Sequence, residues 1–169
     1  MKRRDEQADK AKPKPSAYTK ALGLLARREH SRRELGRKLD QGGYEREEAG
    51  AALERLGEQS YQDDERFGQV LVRSRANHGY GPQRIRAELK SHGLGDAAIR
   101  QLLQEAEQDW DQLAADQLRR RYGATAPGDA AERAKRAQFL LRRGFDGSSV
   151  RAALALALDS ELNEFDEEA

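Results

Sequence analysis

With 169 residues and no cysteine, the chain has no means of forming a disulfide framework or a thiolate metal site, and nothing in it calls for an oxidising compartment. Charged residues make up 36 % and apolar residues 37 %, which is poor in core material for one compact globule and suits stacked or extended helices with solvated outer faces. The net charge of +1 hides an uneven layout: residues 1–15 hold six Lys/Arg and three Asp/Glu, whereas residues 159–169 hold six acids and no base.

Residues 1–15 are polar and broken by Pro13 and Pro15, so they are expected to form a flexible charged arm. No apolar run there resembles a signal peptide, and no stretch approaches a membrane span, which points to a soluble cytoplasmic protein with no membrane partner. Tyr18, Ala21, Leu22 and Leu25 recur at i, i+3, i+4 and i+7, which predicts a helix over Ser16 to Arg28. Ser31 and Glu34 in SRRE have the spacing of a capping box, so a second helix starts at Arg32, packs through Leu35 and Leu39, and stops at Gly42 and Gly43. A third helix presents Ala49, Ala52, Leu53 and Leu56.

The plan then repeats. Asp63 or Asp64 caps a helix carrying Phe67, Val70 and Leu71; Pro82 suits the first turn of the next, with Ile85 and Leu89 inward and Gly93 at its end. Asp96 is the expected cap of a helix bearing Ile99, Leu102, Leu103 and Ala106. A third unit opens at Trp110 with Leu113, Ala114 and Leu118, runs through a longer connection, GATAPGD, and continues with a helix capped by Asp129 and Glu132 and closed by Gly144. Ser148 is the expected cap of the last helix, whose apolar face (Val150, Ala153, Leu154, Ala157) continues through Leu158, Leu162 and Phe165.

One five-residue ladder underlies all three units: Leu39, Gly43, Tyr44, Ala49, Leu53; Leu89, Gly93, Leu94, Ile99, Leu103; Leu140, Gly144, Phe145, Val150, Leu154. The copies lie 50 and 51 residues apart, and no segment shows period-2 alternation. The reading is an all-α protein of three tandem three-helix repeats (16–58, 62–107, 109–158) in an elongated, curved array, followed by an acidic tail over 159–169.

Chemistry is sparse. His30, His78 and His92 fall at or just beyond predicted helix C-termini, where imidazole can meet free carbonyls. Asp63, Asp64 and Glu65 are explained by capping, and GYGPQR lacks phosphate-loop spacing. No catalytic, metal or cofactor-binding residue is assigned. Each unit instead has a basic second helix: Arg32, Arg33, Arg37 and Lys38; Arg84, Arg86 and Lys90; Arg133, Lys135, Arg136, Arg142 and Arg143. These twelve are candidate contacts for phosphates or for an acidic protein surface, against the plain alternative of solvated charge balanced by Glu34, Glu88 and Glu132. Tyr44 and Tyr80 are either anchors for a partner or turn-packing residues.

HSRREL (30–35), DDERF (63–67), GYGPQRIRAEL (79–89) and FLLRRGF (139–145), in that order, resemble the motifs of the bacterial RecX regulatory proteins. The resemblance spans about residues 17–158. It implies a monomeric, non-enzymatic modulator of the recombinase RecA, acting in DNA repair, recombination and the SOS response. Such a protein docks along the RecA filament on single-stranded DNA and depresses strand exchange, ATP hydrolysis and co-protease activity. The alternative is a helical module that binds nucleic acid directly.

Overall fold

The computed structural model describes residues 13–156. Among them are nine helices and no strand: α1 (Ala17–Leu25), α2 (Arg32–Gln41), α3 (Arg46–Glu58), α4 (Asp64–Asn77), α5 (Pro82–Ser91), α6 (Asp96–Glu105), α7 (Trp110–Tyr122), α8 (Ala130–Arg142) and α9 (147–156). Helices pack on one another mainly in the triplets α1–α3 and α4–α6 and in the pair α7·α8, which the apolar side chains of α9 join.

Three separate cores follow. Leu35, Leu39 and Leu56 are fully buried in the first, Ile85, Leu89 and Ile99 in the second, Leu140 and Ala153 in the third. At about 2 kcal/mol for each fully buried aliphatic side chain, these positions anchor their units. The ladder leucines 39, 89 and 140 are all at 0 % exposure. The glycines after them, Gly43, Gly93 and Gly144, have φ of 69°, 92° and 89°, so each second helix closes in the left-handed region where a side chain is strained. Tyr44, Leu94 and Phe145 pin the three turns from inside, each donating its amide to the ladder leucine's carbonyl at 3.2, 3.3 and 3.2 Å.

Several local expectations are corrected. α1 ends at Leu25, short of Arg28: the Ala26 amide still reaches the Leu22 carbonyl, the Arg27 amide turns to the Leu24 carbonyl in a tighter closing turn, and the Arg28 guanidinium binds Glu34 and the Glu29 carbonyl. Ser31 does cap α2 by accepting from the Glu34 amide at 3.1 Å, but the Glu34 carboxylate goes to Arg28 rather than back to the cap, so only half the box forms. Gly95, not Asp96, occupies the cap of α6 without a side-chain bond, and Asp96 sits in the first turn facing Lys90 at 3.3 Å. At α9 the cap is Asp146, whose Oδ1 accepts from the Ser149 amide at 2.9 Å and from the Ser148 hydroxyl at 2.6 Å; Ser148 is inside the helix. Val70 is 49 % exposed rather than in the core. Leu158, Leu162, Phe165 and the acidic tail lie outside the described residues.

The third unit departs from the pattern at one core position. Leu35 and Ile85 stand four residues before their ladder leucines, and Arg136 holds that place before Leu140. Its guanidinium is 3 % exposed, bonded to Glu132 at 2.6 and 3.2 Å and to the Thr125 carbonyl at 2.6 Å, with the Tyr122 ring at 4.8 Å. A buried cation needs such saturation of its donors. The long 123–129 connection supplies it, because Thr125 is part of that loop.

Candidate partner-binding surface and the joints between units

A tandem array acts through the faces it displays and through the joints that set their relative positions. The joint between units one and two is built from side chains. Asp64, at the start of α4, accepts from the Arg32 amide at 2.8 Å and so caps α2 from the neighbouring unit. Arg66 reaches Glu29 at 2.5 Å, and the Gln62 amide spans to the His30 carbonyl at 3.5 Å. His92, just past α5, shares a hydrogen bond of 2.9 Å with the Ser31 hydroxyl while its ring lies 4.7 Å from Phe67. His92 therefore occupies the C-cap position of α5 while its imidazole bridges to the neighbouring unit; the His78 imidazole, by contrast, meets its own helix end, 2.6 Å from the Ser74 carbonyl, and His30 is buried beside Glu34 at 3.7 Å.

Electrostatics at this joint are tightly coupled. Burial pushes the His92 imidazole below its usual range against the pull of Glu34 and Glu88, with Arg37 and Arg28 adding to the push. Burial raises Glu34, yet hydrogen bonding to Arg28 and the charges of His30, Arg28 and Lys38 outweigh it and hold that carboxyl low. The paired guanidinium of Arg75 does the same for Glu88. An open cleft of about 340 Å³ runs along the joint, floored by Phe67, Val70 and Leu71 and walled by the two ion pairs.

The joint between units two and three is made of backbone. The Gly81 and Gln83 amides donate to the Arg143 and Gly144 carbonyls, both at 2.9 Å. A Cβ on Gly81 would lie 2.4 Å from Gly144 and Phe145 main-chain atoms, and one on Gly144 would lie 2.5 Å from the Arg84 backbone. Arg143 adds bonds to the His78 and Gly79 carbonyls at 3.1 and 3.2 Å and covers the Tyr80 ring at 5.5 Å. Trp110 packs against both the second and the third core, so this joint is also apolar. The GYGP motif is thus the seat of the third unit.

The twelve candidate cations fall into two groups. Arg136 is buried, Arg143 and Arg84 pack around Tyr80, Arg33 lies over Gly93, and Arg32, Lys38 and Lys90 face Glu54, Glu34 and Asp96. Arg37, Arg86, Arg133, Lys135 and Arg142 make no ion pair among the described residues. They occupy different positions relative to the ladder leucines, so the charge does not repeat with the scaffold. Tyr44 is 8 % exposed, its hydroxyl donating to the Pro15 carbonyl, and Tyr80 packs partly buried against the second core with the Arg84 and Arg143 guanidiniums 4.2 and 5.5 Å from its ring centre, so both tyrosines pack turns. Asp63 caps its own helix, and no group of three or more His, Asp or Glu among the described residues is placed to hold a metal. Sequence reasoning missed the joint residues; the signal was available in register, since His92 and Arg143 both stand three residues after a ladder leucine.

Three family descriptions match in series: RecX first three-helix domain over residues 17–56, second over 63–103 and third over 107–154. The chain belongs to the RecX family. Among its relatives, "Regulatory protein RecX" of Stenotrophomonas maltophilia (strain R551-3) is 55 % identical over 134 residues, covering 79 % of this chain and 82 % of that one. The protein of the same name from Xanthomonas campestris pv. campestris (strain B100) is 51 % identical over 140 residues, covering 83 % and 86 %. The crystal structure of RecX from Lactobacillus salivarius superposes with a TM-score of 0.68 at 22 % identity, over 84 % of this chain and 95 % of that one, which establishes the shared fold. A second crystal structure, of regulatory protein RecX, gives 0.66 at 26 % identity over 80 % and 68 %. Among the described residues no helix is long and apolar enough to cross a membrane.

Proposed function

We propose that the chain binds the RecA filament on single-stranded DNA and depresses its recombinase, ATPase and co-protease activities, acting in the cytoplasm as a non-enzymatic regulator of DNA repair and recombination. The observation that carries this reading is the full set of three family domains, in order, on a chain whose relatives are named regulatory proteins. The geometry suits it. Three units, each with its own core and joined in series, can each meet a successive subunit of a repeating partner, so weak contacts reinforce one another through effective concentration. Bridging shifts the filament only by favouring one of its states, so the spacing of the units matters. The main-chain seam fixes it between units two and three, and the side-chain joint sets it adjustably between units one and two. Arg37, Arg86, Arg133, Lys135 and Arg142 are the cations best placed to supply contact.

Those unpaired cations also favour a second reading, direct binding of nucleic acid through phosphates. One experiment separates them: titration into RecA on single-stranded DNA, following ATP hydrolysis, beside titration into the same DNA alone, following anisotropy. Inhibition at concentrations where bare DNA stays unbound is expected. Equal binding curves with a steep negative salt dependence would establish the nucleic-acid module instead.

A further inference from the structure

The positive charge of the array is concentrated in its third unit. Residues 110–156 hold nine Lys/Arg and five Asp/Glu, against nine and eight over 16–58 and seven and seven over 62–107. Three of the five cations that make no ion pair among the described residues, Arg133, Lys135 and Arg142, are on one helix, α8. The same helix turns a large apolar side chain to solvent, Leu141, which is 52 % exposed.

These side chains share a face. Ala130, Ala134, Ala137 and Leu141 follow at intervals of four, three and four, so they form one stripe, in which Ala130 and Ala134 are exposed and Ala137 is half-buried. Lys135 and Arg142, seven residues apart, run along one edge of the stripe and Arg133 along the other. The inner side of α8 belongs to the core: Phe139 and Leu140 are buried, and Arg136 is held by Glu132 and the Thr125 carbonyl. Glu132 is the one acid within α8, and its carboxylate also takes the Gly128 amide at 3.0 Å. The outer face therefore carries an apolar stripe between cations and no acid.

That pattern selects its occupant. Phosphates would meet the cations but gain nothing by covering Leu141 and the alanines, whereas a protein segment buries them. Small residues at this spacing let a second helix approach closely, and flanking charges then choose the partner. The complement of this face is a helix with an apolar residue set among carboxylates.

We propose that the outer face of α8 docks an acidic amphipathic helix of a protein partner, with a bulky apolar residue of that helix on Leu141 and its carboxylates on Arg133, Lys135 and Arg142. On the proposed function that helix belongs to RecA, and only this assignment rests on that reading.

The test uses the full chain, unaltered, as L141Q and as the double variant K135E/R142E. Its probes are a fluorescent helical peptide with leucines at four-three spacing among glutamates, the same peptide with serine for leucine, and a single-stranded oligonucleotide. The unaltered chain should bind the leucine peptide at least about tenfold more tightly than the serine peptide, and L141Q should lose that preference while binding the oligonucleotide unchanged. K135E/R142E should bind the leucine peptide at least about tenfold more weakly. Inhibition of ATP hydrolysis by RecA on single-stranded DNA should need at least about tenfold more L141Q than unaltered chain. The proposal is overturned if the two peptides bind alike, if L141Q keeps the preference or inhibits like the unaltered chain, or if K135E/R142E loses the oligonucleotide and not the peptide. It is overturned too if exchanging the six acids of 159–169 for amides raises affinity for the leucine peptide about tenfold, which would give the face to that segment. A leucine preference carried by Leu141, in a chain that leaves RecA hydrolysis untouched, would uphold the docking face and refute the proposed function. Leu141, Lys135 and Arg142 are exposed, so circular dichroism should show every variant folded.

Discussion

The two joints hold similar units together by different means. Units two and three are sewn by main-chain bonds between Gly81, Gln83, Arg143 and Gly144, at distances only glycine permits, and share Trp110 between their cores. Units one and two are held by Asp64, Arg66, Gln62 and His92 side chains, and their core clusters have no residue in common. Backbone seams are indifferent to pH and rigid; side-chain joints carry titratable groups and rotamer freedom. The same repeat thus produces one fused pair and one joint open to adjustment.

The largest predicted effect tests the seam. G81A forces a methyl to within 2.4 Å of main-chain atoms that no side-chain rotation can clear, and should cost about 3 kcal/mol in urea unfolding. G50A, at a helical site with nothing within 4 Å, should instead stabilise by about 0.5 kcal/mol. A mild effect of G81A would mean that the seam relaxes. At the other joint, D64A removes the cap of the Arg32 amide and should cost about 1 kcal/mol. Smaller still is the coupling between Ser31 and His92: a double-mutant cycle with S31A and H92A should give about 0.5–1 kcal/mol, and a value of zero would show that the 2.9 Å bond contributes nothing.

Acidity sharpens the contrast. Because His92 has its folded pKa held below the free value of 6.5, chiefly by burial, the released imidazole binds a proton more readily than the seated one. Its contribution is complete above about pH 6.5, declines as the pH falls from there through the folded value, and changes no further below it. Glu34 and Glu88 are depressed from 4.5, so their contributions persist until the pH drops below that range toward their folded values. Mild acid should therefore weaken the first joint through His92 more than it weakens the main-chain seam.

Much of the scaffold is legible in the residues, because leucine spacing and a helix-closing glycine report local physics: Leu39, Leu89 and Leu140 are buried and Gly43, Gly93 and Gly144 take positive φ as the ladder requires. What crosses between units is not. His92 reads as a helix-end imidazole and Arg143 as a surface cation, since their partners lie 61 and 65 residues away in sequence. Arg136 reads as solvated charge although its register matches Leu35 and Ile85, because only the folded 123–129 loop brings the carbonyl that satisfies it. Asp146 and Ser148 are both good caps, and a two-residue ambiguity between them is decided by geometry alone.

The contrast between the joints is tested most directly by distances across them. The cysteine-free sequence allows spin labels at E47C and R100C, spanning units one and two, and at R100C and Q138C, spanning units two and three. Between about pH 7.5 and about pH 5.5 the first pair's distance distribution should broaden while the second stays narrow and unshifted. Equal behaviour of the two pairs, either both fixed or both broadened, would contradict the account.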